Sequence, residues 1–522
     1  MKNSYIIGVD IGGTNTDAVL VDDQNTIICA VKTTTTNDIS IGFSTALNNL
    51  IEQSAIQPNQ IQSIFLGTTH ATNAILQKKD LFRVGVIRIA GQRPETLPVA
   101  FAWPQDLKDA VIGGVETVGG GLECHGGPLT SICKEEIRRA ISRLLEKEVN
   151  SIAVIGVFSP LNGSQENLVC DLIKEVVGPY FPISLSHEIG GIGFIERENS
   201  TILNASLKRV MQQGFCSLQM ACQALKLTCP LMITQNDGSL IEIQRAIDYP
   251  VLTISAGPTN SFIGGVRLAG LENAIVVDIG GTSTDVGLVR KGFPIRSLNK
   301  SNIGGVSLNF PMPDVLSVAL GGGSIIRFHS NRPLIGPTSV AKSLTSQALS
   351  FGGNELTLTD VALVMGHVEI KDSQSERACI DLVQGTTIFD QVKEKLNKLI
   401  FKIRGEYKDL PIIFVGGGSA LLPPCFFQEE YQMPSFFNVA NAYGAALSEI
   451  SGTVDTVVSL RNREETLDKL YEQAKQKAVD QGAKKETLRL VDQQIIPYSY
   501  VPNQMARVIV RYCGKRVSTT HK

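Results

Sequence analysis

The chain has 522 residues, 43% hydrophobic and 19% charged, which is too long for one compact domain and predicts two to four with sizeable cores. A net charge of −2 without a long basic run excludes nucleic acid as an expected partner. No apolar run approaches a membrane span, the first residues carry no signal-peptide pattern, and the ten cysteines include no C-x-x-C pair, so a cytoplasmic protein in reducing surroundings, with no membrane contact, is expected.

From the N-terminus, Asp10-Ile11-Gly12-Gly13-Thr14-Asn15-Thr16-Asp17 lies between apolar β-formers and predicts strand, tight glycine turn, strand. A strand near 26–31 and a run of four threonines, 33–36, follow, then a helix over 42–52 capped by Asp38 or Ser40. The strand predicted over 61–66 runs into Gly67-Thr68-Thr69-His70-Ala71-Thr72-Asn73, a polar cluster at a helix N-terminus. Thr68, Thr69, His70 and Asn73 are candidate substrate contacts there, with a plain capping turn as the alternative. Residues 80–130 predict a strand over 81–86 and otherwise an irregular insertion around the single tryptophan, Trp103. Glu123-Cys124-His125 is not read as a metal site, because three adjacent residues on an extended chain point in different directions.

Alternating helices (134–149, 167–177) and strands (151–158, 183–186) predict a sheet covered by helices. A long helix is expected over 201–224 and a strand over 231–234. The small-residue turn Ser255-Ala256-Gly257-Pro258 opens a helix joining two halves. Asp278-Ile279-Gly280-Gly281-Thr282-Ser283-Thr284-Asp285 then repeats the first hairpin. Aligning 9–21 with 277–289 keeps ten of thirteen residues identical at an offset of 278 − 10 = 268. Further on come Pro311-Met312-Pro313-Asp314, the glycine triplet before Ser324, a helix over 384–407, and a strand over 411–415 that ends in Gly416-Gly417-Gly418-Ser419. A helix over 438–450 precedes a C-terminal piece with a helix over 461–478, strands over 488–491, 495–500 and 506–512, and a frayed end.

Matched hairpins in two halves suit a clamp on phosphates. Glycines let backbone N–H groups approach an anion. That assigns Gly12, Gly13, Thr14, Asn15 and Thr16, with Gly280, Gly281, Thr282, Ser283 and Thr284, to nucleotide phosphates. Asp10 and Asp278 are the expected Mg²⁺ residues, directly or through water. Asp10, Asp278 and Asp285 form the candidate catalytic set, Asp17 or Asp285 supporting the hairpins. Gly416, Gly417, Gly418 and Ser419 offer a flat surface for adenosine. Ser255, Gly257 and Asp314 join the substrate side.

These features together resemble the actin, hexokinase and Hsp70 type of ATPase. Within it the text is most similar to the hydantoinase A / 5-oxoprolinase family, on 8–22, 67–76, 195–207 (with Glu198, Asn199 and Asn204), 232–238, 254–265, 276–289, 311–324 and 441–446. The resemblance implies an α/β, two-lobed actin/hexokinase/Hsp70-like ATPase fold. One lobe would cover 1–260 with an α/β insertion at about 80–190, the second 261–451, and a small α+β appendage 452–522. It implies ATP and Mg²⁺, and ATP-dependent hydrolysis of a cyclic amide of hydantoin or 5-oxoproline type through phosphorylation of the amide oxygen. The chain would act alone or with a hydantoinase B-type subunit, in a homo- or hetero-oligomer. The alternatives are a subunit phosphorylating a ketone or enolate for carboxylation, a small-molecule kinase, and an ATP-driven binding or regulatory module. Two departures stand out. The family's cysteine-bearing loop reads 341–353 here without that cysteine, and Leu316 stands where the family tends to place histidine. They imply a changed acceptor pocket.

Overall fold

The computed structural model describes residues 4–517 apart from 37, 92–96, 125, 298–300, 311, 331, 408, 424–425, 428–430 and 499–503. His125, Pro311, the end of the strand expected over 495–500, and the last five residues lie outside the described ones.

The two hairpins form the centres of two separate sheets. Tyr5–Ile11 and Asn15–Val21 pair antiparallel with Asp10 opposite Asp17; Ala274–Ile279 and Thr284–Arg290 pair with Asp278 opposite Asp285. In each sheet the first hairpin strand also pairs in parallel with a later one, Ile61–Thr68 or Ile412–Val415. The first sheet is completed by Ile27–Thr34, Leu231–Thr234 and Leu240–Glu242; the second by Phe293–Pro294, Val315–Val318 and Tyr431–Gln432. Side chains alternate across a strand, and Asn15–Val21 uses both faces. Ala18 and Leu20 join Phe43 and Leu47 of the helix Ile39–Ser54, while Val19 and Val21 pack on Ala442 and Tyr443. Burial on both faces explains why these strands are apolar throughout rather than alternating.

Between the sheets cross two helices, Ala256–Leu268 and Ala440–Ala446. Their approach is backbone to backbone. A Cβ on Gly264 would stand 1.8 Å from the Ala440 carbonyl oxygen, and one on Gly444 1.9 Å from that of Asn260. Gly8 admits the same helix to the first sheet, its Cβ position 2.1 Å from the Ala442 oxygen. Only glycine permits such contact.

The insertion is a parallel sheet in the order Ile112–Val118, Val84–Ile89, Ser151–Gly156, Ile183–Leu185, covered by Lys134–Leu145 and Ser164–Val177. The irregular region expected around 80–130 therefore contains a helix, Gln105–Val111, and a paired strand. Gly113 and Gly114 disguised that strand. They are glycines because Cβ atoms there would meet Val149 at 2.7 Å and Lys147 at 2.8 Å. The long helix begins at Phe194, seven residues before the expected start. Its first turns bury Arg197, Glu198, Asn199 and Ser200, so no apolar stripe marks them. Glu198 accepts from Arg88 at 2.5 and 2.7 Å, and Asn199 Oδ1 from the Trp103 indole at 2.9 Å.

The helix expected over 438–450 ends at Ala446, and Ile450–Ser459 is a strand. It pairs along its whole length with Met505–Gly514, a partner remote in sequence. The strands expected at 488–491 and 495–500 are one, Arg489–Pro497, interrupted by an irregularity between Leu490 and Asp492. This sheet and the helix Arg463–Asp480 are docked on the first lobe. Leu240 N–H donates to the Glu449 carbonyl at 2.8 Å, and Arg516 donates to Ser63 Oγ at 2.6 Å. No helix among the described residues is long and apolar enough to cross a membrane.

Candidate active site

Both hairpin turns open on one cleft of about 500 Å³ between the lobes. The turns have the same internal bond, Gly12 N–H to Asn15 O at 3.0 Å and Gly280 N–H to Ser283 O at 2.9 Å. Each is braced from outside. The threonine run holds the first, since Thr35 Oγ1 donates to the Gly12 carbonyl at 2.9 Å and Thr35 N–H to Thr14 O at 3.0 Å. The glycine triplet holds the second, with Gly322 N–H on Gly280 O at 3.1 Å and Gly323 N–H on Gly281 O at 2.7 Å. The tips come close together: Thr14 Oγ1 lies 2.9 Å from where a Cβ on Gly281 would stand.

Asp10, Asp17, Asp278 and Asp285 all line the cleft. Burial, then the charges of Asp17 and Asp278, push the Asp10 carboxyl up to about 7, against the Asn441 amide that donates to its Oδ2 at 2.9 Å. Burial likewise raises Asp285 to about 7, against a hydrogen bond from Ser317 and with the Asp278 charge adding to it. Asp278 is raised by burial and steadied by the Ser261 hydroxyl. Lys32 pairs with Asp17 at 2.6 Å. Asp10 Oδ1 is buried without a hydrogen-bond partner among the described residues. An unpartnered carboxylate oxygen among like charges is what a divalent cation would relieve, so the donor set fits Mg²⁺. Among the described residues no group of three or more His, Cys, Asp or Glu side chains is arranged around a metal.

Of the residues singled out from the sequence, Gly12, Gly13, Thr14, Asn15, Gly280, Gly281, Thr282 and Ser283 line the cleft, as do Thr69, Gly257 and Gly416, Gly417 and Gly418. Several others do not. Thr16 and Thr284 are fully buried, bonded to Thr35 Oγ1 at 3.1 Å and the Leu320 carbonyl at 2.7 Å. Ser419 is turned back onto the Val415 carbonyl at 2.5 Å. Thr68 Oγ1 caps the His70 N–H at 3.1 Å, and the His70 ring packs beside Gly214 of the long helix, where burial lowers its pKa. Asn73 acts at one remove, donating to Thr69 Oγ1 at 3.1 Å. Ser255, in the left-handed region at φ 61°, receives no place on the cleft wall; its N–H donates to Thr72 Oγ1 at 3.3 Å. Asp314 also lies off the wall, its N–H on the Ile295 carbonyl at 2.8 Å.

Lys32, Ser261, Asn441 and the apolar wall of Leu344, Val368, Ile370 and Phe437 were not anticipated. Lys32 had a signal: the turn near Asp22–Asn25 is centred so that Asp17 and Lys32 are cross-strand partners. The apolar wall had none, since Leu344, Val368, Ile370 and Phe437 come from three segments far apart in the chain. Leu316 pairs with Val286, while its neighbour Ser317 faces Asp285. Adjacent strand residues face opposite ways, so the position with the missing histidine is not on the carboxylate side.

The family described as hydantoinase/oxoprolinase N-terminal region matches residues 6–177, and hydantoinase/oxoprolinase matches 197–380. Caprolactamase subunit alpha of Pseudomonas jessenii is 26% identical over 70% of this chain, but the match spans only 55% of that relative. Acetophenone carboxylase gamma subunit of Aromatoleum aromaticum is 24% identical over 91% of this chain and 74% of its own length. Among solved structures, the ATP-dependent caprolactamase from Pseudomonas jessenii superposes with TM-score 0.76 at 20% identity, covering 98% of this chain and 87% of that one. Nucleotide-free acetone carboxylase gives 0.72 at 16%, covering 99% and 88%. These two likenesses show the fold, an α/β, two-lobed actin/hexokinase/Hsp70-like architecture. With both family regions matched in order across residues 6–380, this chain belongs to the hydantoinase/oxoprolinase family.

Proposed function

We propose that the chain binds ATP in the interlobe cleft and transfers its γ-phosphoryl group to the oxygen of a small cyclic amide of hydantoin or 5-oxoproline type, leading to ring opening. The observation that carries this is the pair of duplicated turns with four carboxylates converging on one cleft. Backbone N–H groups of the Gly12–Gly13–Thr14 and Gly280–Gly281–Thr282 turns would hold the phosphates, as glycine-rich turns do. Gly416, Gly417 and Gly418, which line the same cleft as the apolar wall, would hold adenosine. Asp10 and Asp278 would hold Mg²⁺, which when bound supplies positive charge against phosphate oxygens. Asp285, raised to about 7, is suited to take a proton from water or substrate near neutral pH. Thr69 and Gly257, on the cleft wall, would meet the acceptor.

An amide carbonyl is a poor electrophile because nitrogen donates into it. Transfer of the γ-phosphoryl group to its oxygen, with ADP leaving and the amide N–H proton released, gives an imidate phosphate whose C=N carbon water can attack. Water then adds to the carbon, the C–N bond breaks as nitrogen takes a proton, and an acyl phosphate remains. A second water releases phosphate and the acid. Positioning of the reacting groups and charge neutralisation supply most of the rate in such a transfer.

A second reading is supported by the match to the acetophenone carboxylase gamma subunit over 91% of this chain. In it the same cleft would phosphorylate a ketone or enolate oxygen for carboxylation. Both relatives are named as subunits, which supports a hetero-oligomer with a B-type partner. The deciding experiment is an ATPase screen against lactams, cyclic imides and ketones, with and without a co-encoded B-type subunit. Ring-opened acid with ADP and phosphate supports the first reading, and a stable phosphoester or ketone-dependent turnover the second. ATP turnover indifferent to every substrate points to an ATP-driven binding module.

A further inference from the structure

A second cavity, of about 760 Å³, lies where the insertion, the first lobe, the second lobe and the C-terminal sheet meet, and it shares no lining residue with the interlobe cleft. That volume is in the range of small-molecule sites, roughly 300–1,000 Å³. Arg296 is on its wall and only 8% exposed. Among the described residues none of its guanidinium nitrogens makes a hydrogen bond. Its neighbouring carboxylates stand off, Asp237 at 3.8 Å and Asp492 at 3.6 Å. Asn236, 3% exposed and on the same wall, also has an amide nitrogen without a partner.

Native proteins rarely leave such groups unmet, because a buried polar group without a partner loses its water and gains nothing. Each carboxylate on this wall already has a partner of its own. Asp237 Oδ1 accepts twice from Ser239, at 3.0 and 2.6 Å, and Asp455 holds Arg507 in a two-pronged pair at 2.8 and 2.6 Å. Glu188 accepts from the Tyr249 hydroxyl at 2.8 Å, and Asp480 from Gln476 at 2.7 Å. Arg296 and Asn236 add donors that no acceptor on the wall meets. A guanidinium presents its donors as a planar fork that matches a carboxylate.

We propose that this cavity is a second ligand site, which takes a small carboxylate with its anionic oxygens on Arg296 and a further acceptor on Asn236. Because the wall draws on every part of the chain, an occupant would bridge both lobes and the C-terminal sheet.

The test is calorimetric titration of the full chain with acetate, benzoate and glutarate, with neutral glutaramide as control. At least one carboxylate should bind and the diamide should not. Asn236→Ala and Arg296→Met should each weaken that binding about tenfold or more, while Asp278→Ala in the interlobe cleft should leave it unchanged. Arg296→Met leaves Asp237 and Asp492 short of a cation; should it not fold, Asn236→Ala decides. Unchanged affinity in Asn236→Ala, loss of binding in Asp278→Ala, equal binding of glutaramide, or no binding of any carboxylate at about 10 mM, beyond a Kd of ~1 mM, would each overturn the proposal.

Discussion

Asp10 and Asp285 keep their protons to about pH 7 in the folded chain, whereas a free aspartate loses its proton near ~3.9. Between those values the folded state binds more protons than the unfolded one, so the stability these groups contribute is greatest at the acid end and is lost as pH rises through about 7. The melting temperature of nucleotide-free protein should fall between roughly pH 4 and 7 and level off above, and Asp10→Asn should flatten the decline. Thermal melts across that range check it; a curve unchanged by the substitution would contradict the assigned titration. A cation arriving at Asp10 must displace a proton, so Mg-nucleotide binding should release protons near neutral pH, measurable by titration in buffers of different ionisation enthalpy. Asp278 is the sharper test of chemistry. Asp278→Ala should abolish ATP turnover with the fold intact by circular dichroism, and normal turnover would remove it from the catalytic set.

At the scale of elements, the three glycines after Ile412–Val415 have different reasons. Cβ atoms on Gly416 and Gly418 would meet Asp278 Oδ1 at 2.1 Å and Ile279 Cγ2 at 2.6 Å, so these two admit the second hairpin. A Cβ on Gly417 would meet nothing within 4 Å, and this glycine faces the cleft. Gly417→Val should weaken ATP binding more than tenfold with little change in melting temperature. Gly418→Ala should instead cost about 1–3 kcal/mol of stability, as overpacking does. Equal nucleotide affinity in Gly417→Val would move adenosine elsewhere. The crossing helices leave still less room. Gly264→Ala drives a methyl group into the Ala440 carbonyl, 1.8 Å away. It should destabilise by about 3 kcal/mol or more, or prevent folding, as denaturant titration would show.

For the whole molecule, the departures from the family bear on substrate. Leu316 faces away from the carboxylates, so its effect on the acceptor would be indirect. The altered loop is closer to the matter: Ala341 and Leu344 line the cleft and make that side apolar. The purified chain alone is expected to bind nucleotide but to show weak or no ring opening of 5-oxoproline or hydantoin. It should favour a less polar substrate or need a partner to complete the site. ATP-coupled opening of either compound at roughly 1 s⁻¹ or above would show that the loop and Leu316 are immaterial.

The hairpins were legible in the sequence because everything they need is local. A glycine turn joins two short apolar strands, and the copy at residue 278 confirmed the first. The helix over 438–450 was legible for the same reason, although it stops at Ala446. What only tertiary structure decided depends on residues brought together from far apart. Ile450–Ser459 is a strand because Met505–Gly514 pairs with it, a contact no local pattern encodes. Phe194–Ser200 is helical because its buried polar side chains find Arg88, Trp103 and the backbone at Ser307. His70 and Ser419 have the right chemistry for a site, yet packing turns them away from it. Asn441 and Lys32 reach the carboxylates because a crossing helix and a third strand deliver them there. Local turn chemistry thus determined where phosphate could bind, and long-range packing decided which side chains stand around it.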